Sequence, residues 1–241
     1  IMESIPIQYL ARFFNNHGLL SINNHPQWRV VKGGAREYVK KMVTRFSGDI
    51  RLNSKVIRIT RKPEGVKVRT ENNIIENFDA IILACHSDQA LEMLEDPTSQ
   101  EKEILSSIPY QENIALLHTD ISVLPLRKRV WASWNSNIPQ NKENRVSLTY
   151  NMNMLQSIKC PDTICVSLNM EERIKPEKVL KRIIYNHPVY NKTTVNAQNR
   201  KHEINGLNNT YYAGAYWKYG FHEDGVKSAL DVCRHFGVES I

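Results

Sequence analysis

The chain of 241 residues has only ten glycines, and nowhere are they spaced as G-x-G-x-x-G. A self-contained dinucleotide site of the βαβ type is therefore excluded within it. Its four cysteines, Cys85, Cys160, Cys165 and Cys233, are too few and too scattered for a disulfide framework. Cys160 and Cys165 have no second pair to complete a zinc ligand set, so no metal site is expected. A reducing, cytoplasmic setting is the default that follows. No apolar run approaches the ~20 residues needed to span a bilayer. No signal-peptide pattern is visible at the start, which is Ile rather than Met. Ser–His–Asp, H-E-x-x-H and P-loop patterns are missing too, leaving hydrolase and nucleotidase readings without support. Acidic residues are in deficit, 25 against 32 basic, for a net charge of +7. The basic residues are dispersed, apart from doublets such as Lys40-Lys41 and the cluster Arg127-Lys128-Arg129. That pattern fits a solvated basic surface, and no nucleic-acid motif accompanies it. Contact with an anionic membrane surface is the one macromolecular contact the charge admits.

What is present is a run of well-patterned elements. Ser4 as N-cap and Pro6 in the first turn predict a helix to about His17, ended by Gly18. Ile7, Leu10, Ala11 and Phe14 would be its apolar face. Trp28–Val31 reads as a short strand or extended segment. After Gly33-Gly34, Ala35, Tyr38, Val39, Met42, Val43 and Phe46 recur at helical spacing. From there the period changes to two. Residues 54–60, 65–70 and 73–77 predict an antiparallel meander, with turns at Pro63-Glu64-Gly65 and Asn72-Asn73. Asp79–Ala84 is continuously apolar, as in a parallel strand buried on both faces. Helices are expected at 87–95 and 98–107, the second opened by a Thr98/Glu101 capping box. Strands are expected at 113–119, 130–135, 146–151 and 163–168. A further amphipathic helix is expected from Pro176 through Ile184.

The most informative segment is the C-terminal one. Asn208–Ala215 reads as a strand ending in small residues, Tyr216–Glu223 as an aromatic loop, and Asp224-Gly225-Val226 as the opening of a helix. The N–H groups and dipole of such a helix start suit an anionic or electron-rich group. Tyr211-Tyr212-Ala213-Gly214-Ala215 with Gly220–Val226 resembles the flavin-contacting motif of FAD-dependent amine-oxidase-like oxidoreductases. The likeness is strongest to a bacterial group of predicted NAD/FAD-binding proteins associated with cyclopropane-fatty-acid synthases. Phe13–Leu20 and Pro26–Gly34 match the same group, in the right order.

The resemblance implies a mixed α/β and α+β fold. An incomplete FAD-binding Rossmann-like domain would be joined to an antiparallel-sheet substrate domain with helices. Residues 1–47 would be a helical part of the substrate domain and 48–85 the flavin-domain meander and buried strand. Residues 86–204 would be the substrate domain proper, and 205–241 the returning flavin-domain strand and helix. Val56 would approach the adenine. Gly214 would allow close approach to the ribityl-pyrophosphate, and Ala215 replaces the acid common in amine oxidases. Asp224 would cap the helix from Gly225, and Val226 N–H would face the pyrimidine edge. His222 and Glu223 would stand beside the cofactor or form an exposed loop pair. Tyr216, Trp217, Tyr219 and Phe221 would wall a flavin face or a lipid tunnel, or pack in a core. His17 and His25 read as loop histidines, and Lys128 is not assigned to the lysine position usual near flavin N5. No catalytic residue is assigned.

By the same resemblance the chain is the C-terminal part of a longer flavoprotein, whose preceding segment would carry the dinucleotide fingerprint. FAD is expected in that full-length protein and not on this piece alone. The activity implied is hydride transfer with a small hydrophobic or fatty-acyl substrate. A non-catalytic interaction module of flavin fold and a basic peripheral lipid-binding protein are the alternatives.

Overall fold

The computed structural model describes residues 5–24, 26–27, 29–137 and 145–238. The expected cap Ser4, His25 and Trp28 lie outside them. In chain order the elements are α1 (Ile7–Asn16), α2 (Arg36–Arg45), β1 (Val56–Lys62), β2 (Gly65–Thr70), β3 (Ile75–Phe78) and β4 (Ile81–Leu83). Next come α3 (Ser87–Met93), α4 (Ser99–Ser106), β5 (Tyr110–His118), β6 (Trp134–Asn137), β7 (Ser147–Asn151), α5 (Met152–Gln156) and β8 (Cys165–Leu168). The last are β9 (Val179–Pro188), α6 (Lys192–Asn199), β10 (Thr210–Tyr212) and α7 (His222–Arg234). They fall into two compact units. One joins Gly18–Gly48 to Gln111–His187. The other joins the stretch ending at His17 to Asp49–Tyr110 and to the stretch beginning at Pro188.

In the second unit β1, β2 and β3 form the antiparallel meander, with a register shift between Val56 and Arg58. Gly65 is required at its turn. Its φ is +148°, and a Cβ there would lie 2.5 Å from the Phe78 carbonyl oxygen. β4 and β10, far apart in sequence, pair in parallel, with Ile81 opposite Thr210 and Leu83 opposite Tyr212. That pairing is the one expected from two short apolar runs that both end in small residues. Burial of β4 on both faces is not borne out, since Ile82 remains 48% exposed. A two-stranded sheet covers only one of its faces here. The β10 strand is also shorter than expected, because Leu207–Asn209 form a 3₁₀ turn before it.

The core of this unit gathers Ile59, Leu83, Ile104, Leu105, Ile204 and Tyr212. Inside it runs a polar link. The Arg61 guanidinium pairs with the Glu101 carboxylate, and both side chains are almost fully buried. Tyr212 Oη donates to Glu101 Oε1 at 2.7 Å. Burial alone would raise the Glu101 carboxyl, but the bonds from Arg61 and Tyr212 outweigh it and hold it below the usual range. Glu101 also closes the expected capping box: its Oε2 accepts Thr98 N–H at 2.8 Å, and Thr98 Oγ1 accepts Glu101 N–H at 3.1 Å.

The first unit is built on a five-stranded sheet in the order β6-β7-β8-β5-β9. The helix expected from Pro176 is absent. Pro176–Lys178 make one 3₁₀ turn, and Val179–Pro188 continue as strand β9. Val179, Ile183 and Ile184 are β-branched, and pairing at the sheet edge overrides a helical spacing that this short run also satisfies. Of the short strand or extended segment expected at Trp28–Val31, no strand forms over Arg29–Val31, which adopt no regular structure. A buried polar stripe crosses the sheet: His118 Nδ1 accepts Asp120 N–H at 3.1 Å, and Nε2 donates to Ser167 Oγ at 2.8 Å. Thr149 Oγ1 lies 2.7 Å from the same hydroxyl. Burial pushes the His118 imidazole down, against a smaller opposing effect of Asp120.

Candidate functional site

The parallel pair β4–β10 brings the chain at Cys85 and at Gly214 out on one edge. Ala213 N–H still donates to Leu83 O at 3.0 Å, extending the ladder one residue past the strand. Gly214 N–H then leaves the sheet and donates to Ser228 Oγ of α7 at 3.0 Å. Ser228 is 2% exposed and also accepts from Lys201 Nζ at 3.3 Å. Sequence reasoning misses this support. The signal is there, because Ser228 follows Asp224 by four residues and so shares its helix face.

Loop 215–221 is held from three sides. Gln198 Nε2 donates to the carbonyls of Tyr216 and Lys218 at 2.8 and 2.6 Å. Tyr9 Oη of α1 donates to Lys218 O at 2.9 Å. The Asp224 carboxylate accepts the N–H groups of Tyr219 and Phe221 at 3.2 and 3.1 Å.

The last contact corrects an expectation. Asp224 is not the N-cap. Helix α7 opens at His222, with Phe221 as N-cap, and Asp224 caps from its third position. The acid-rich start Glu223-Asp224 favours an earlier turn than glycine alone suggests. Val226 consequently stands in the second turn, where helix geometry directs its N–H to the His222 carbonyl. The first turn lies at residues 222–224, and within it Asp224 N–H donates to Phe221 O at 3.0 Å.

The two site glycines differ in what they allow. At Gly214 a Cβ would fall 2.3 Å from the Tyr216 ring, so the fold itself requires glycine there. Gly225 is interior to α7, yet a Cβ would meet nothing nearer than Ala215 Cβ at 4.0 Å. Glycine costs a helix interior roughly 0.5–1 kcal/mol relative to alanine. No neighbour in the structure explains that choice, whereas close approach of a flat ligand would. Tyr216 Oη and Trp217 Nε1 are buried and have no hydrogen-bond partner among the described residues. Burial pushes the Tyr216 hydroxyl well up, so it stays protonated and able to donate.

A cleft of about 660 Å³ opens against α1, α6 and the start of α7. Tyr9, Trp217, Tyr219 and Phe221 supply its aromatic wall, and Arg12, Lys218 and Lys227 its cations. Tyr9 and Tyr219 pack with ring centroids 4.6 Å apart, and Phe13 and Phe221 stack at 5.9 Å. α1 thus turns Tyr9 and Phe13 to this loop; of the expected face, Leu10 and Phe14 are half-buried, whereas Ile7 and Ala11 are exposed. Lys227 is paired with Glu223 at 3.3 Å. His17 lies against the Phe221 ring at 5.0 Å, and its Nδ1 is 2.8 Å from Phe13 O.

Gly214, Ala215, Asp224, Gly225 and Val226 are therefore brought together. Of these only Asp224 lines the cleft. Val56 stands apart from the group and packs at the margin of the core that holds Ile59 and Tyr212. Lys128 lies over the Trp131 ring at 5.7 Å in the other unit. Among the described residues no group of histidine, cysteine and carboxylate side chains could hold a metal.

Residues 6–132, just over half of the chain, match the sequence model of the family "flavin containing amine oxidoreductase". The chain belongs to this family. The C-terminal motif lies outside the matched residues. A putative protoporphyrinogen oxidase from Exiguobacterium sp. 255-15 superposes with a TM-score of 0.63 at 15% identity, over 97% of this chain and 58% of that one. Cyclohexylamine oxidase from Brevibacterium oxydans IH-35A gives 0.61 at 13% identity, over 98% and 61%. A fatty acid isomerase from P. acnes that produces CLA gives 0.59 at 17% identity, over 85% and 52%. These likenesses show the fold, and the chain spans little more than half the length of each neighbour. A search of the curated proteins found no match. No described helix is long and apolar enough to cross a membrane.

Proposed function

We propose that this chain supplies the substrate domain and the flavin-facing strand ends of an FAD-dependent oxidoreductase acting on a small hydrophobic, fatty-acyl-like substrate. The observation that carries the reading is Gly225, a helix-weakening residue at which an added Cβ would touch only Ala215 Cβ, at 4.0 Å. It faces Ala215 at the end of a parallel strand pair. These residues fit a flavin: two positions without side chains, a fresh helix turn, and the unpartnered donors Tyr216 Oη and Trp217 Nε1. FAD, when bound, supplies the two-electron chemistry of hydride transfer.

The chain's own residues do the rest. Gly214, Ala215 and Gly225 leave room for the ring and ribityl chain. The first turn of α7 directs its dipole at negative charge gathering on the ring edge. Ser228 fixes the Gly214 peptide, with Lys201 behind it. The aromatic wall of the cleft excludes water and offers an apolar surface to the substrate. The pyrophosphate needs a glycine-rich βα turn. A further segment carrying that turn would extend the small sheet beside β4, and Val56 would meet the adenine. Residues 48–85 and 205–241 would then be the flavin-domain part, and 1–47 with 86–204 the substrate-domain part. Lipid chemistry is suggested by one structural neighbour, a fatty acid isomerase, and amine chemistry by another.

The test is flavin content. Expressed from its complete reading frame and purified, the protein should be yellow, with one FAD per chain by visible absorbance. The 241-residue chain alone should be colourless. A colourless complete product, prepared with excess flavin, would contradict the proposal. Bleaching of bound flavin by a panel of fatty acids and amines under anaerobic conditions then separates the substrate classes.

A further inference from the structure

Helix α2 presents an apolar face that no described residue covers. Val39, Met42, Val43 and Phe46 are all exposed, Met42 to 66% and Phe46 to 60%. No described residue between Leu19 and Asn53 is buried. At roughly 100° per residue, these four side chains form one stripe along the helix. Arg36 and Lys40 flank the stripe on one side and Arg45 on the other. Glu37, Lys41 and Thr44 fall opposite it. Glu37 engages Arg36 and Lys40 at 3.4 and 3.2 Å, so the sole acid of the helix is already spoken for. Lys41 and Arg45 make no ion pair among the described residues. The charge is concentrated here as well. Residues 18–48 hold six cations and one acid, leaving +5 of the chain's +7.

From this arrangement we infer that α2 is a membrane-surface docking helix for anionic lipid. An in-plane helix sinks its apolar stripe to the acyl boundary, while cations on both flanks extend their stems upward to headgroup phosphates. A face buried against protein would have to leave or pair those flanking cations. A lipid surface accepts both the stripe and its two basic borders. The inference is independent of the flavin reading, since α2 carries none of the proposed flavin contacts. It adds a place from which an apolar substrate could be drawn.

The experiment uses the intact 241-residue chain and co-sedimentation with phosphatidylcholine vesicles, with or without roughly one third phosphatidylserine. Binding should be strong to the anionic vesicles and weak to the neutral ones, and salt at about 0.5 M should release the protein. Met42→Asp should cut binding roughly tenfold by spoiling the stripe. The double variant Arg36→Glu/Arg45→Glu should cut it at least as much by reversing the charge on both flanks. Both changes are at exposed positions, and circular dichroism would verify that the fold is kept. Equal binding to both vesicle types, or none, would overturn the inference. So would unaltered binding by both variants. If wild type sediments as a dimer, fails to bind vesicles, and Met42→Asp makes it monomeric, a second copy covers the face and the lipid assignment is wrong.

Discussion

Gly225 and Gly214 separate fold from function at the scale of single residues. Gly225→Ala should stabilise the chain by about 0.5–1 kcal/mol, because α7 gains helix propensity and the new methyl has room. Gly214→Ala should destabilise it by about 1–3 kcal/mol through collision with the Tyr216 ring. In a Tyr216→Ala background that penalty should largely vanish, a coupling that a double-mutant cycle by urea unfolding would measure. Equal Gly214→Ala penalties in both backgrounds would refute the contact. His118 gives a pH prediction. Its folded pKa is depressed by burial, so the neutral ring's contribution is complete above the unfolded value of about 6.5. It is lost as pH falls through the lower folded value, where a second ring proton would oppose Asp120 N–H. Wild type should lose urea resistance between about pH 7 and 5 more steeply than His118→Gln. Parallel curves would remove His118 from the account.

Elements whose signal is local are legible in the amino-acid sequence. β2 runs over the expected residues 65–70, and the Thr98/Glu101 box opens α4 as its spacing implies. The run from Val179 misleads, because a few β-branched residues satisfy helical and strand spacing alike. Only pairing in the sheet decides between them. The link through Arg61, Glu101 and Tyr212 is illegible in sequence, since it joins β1, α4 and β10 across long separations along the chain. Its removal should be costly. Glu101→Ala leaves the Arg61 charge and the Tyr212 hydroxyl buried without their partner, and should destabilise the chain by about 3–5 kcal/mol. Glu101→Gln keeps the shape and part of the hydrogen bonding and should cost less. Chemical denaturation of both variants checks the order, and a small loss for Glu101→Ala would show the link to be solvent-relaxed.

For the molecule as a whole, the family is readable from motifs at its two ends, and the β4–β10 pairing from the apolar runs at 79–84 and 211–215. The site is readable only in part. The glycines and the helix are visible in the sequence, but its pattern sets the helix start about three residues late, so Val226 N–H lies inside the helix ladder and is not the donor expected. Ser228, Lys201 and Gln198 escape notice, because each acts through a backbone group that sequence does not reveal. The central claim is that the strand ends and the start of α7 receive a flavin, and Gly225→Leu tests it most directly. An added Cβ touches only Ala215, at 4.0 Å, and leucine favours the helix, so the variant should fold, as circular dichroism would verify. Within the complete gene product it should still obstruct the ring. Flavin content and FAD affinity, measured by absorbance and by titration of the stripped protein, should fall at least roughly tenfold, about 1.4 kcal/mol. A folded Gly225→Leu protein that holds FAD as tightly as wild type would place the flavin elsewhere and contradict the account.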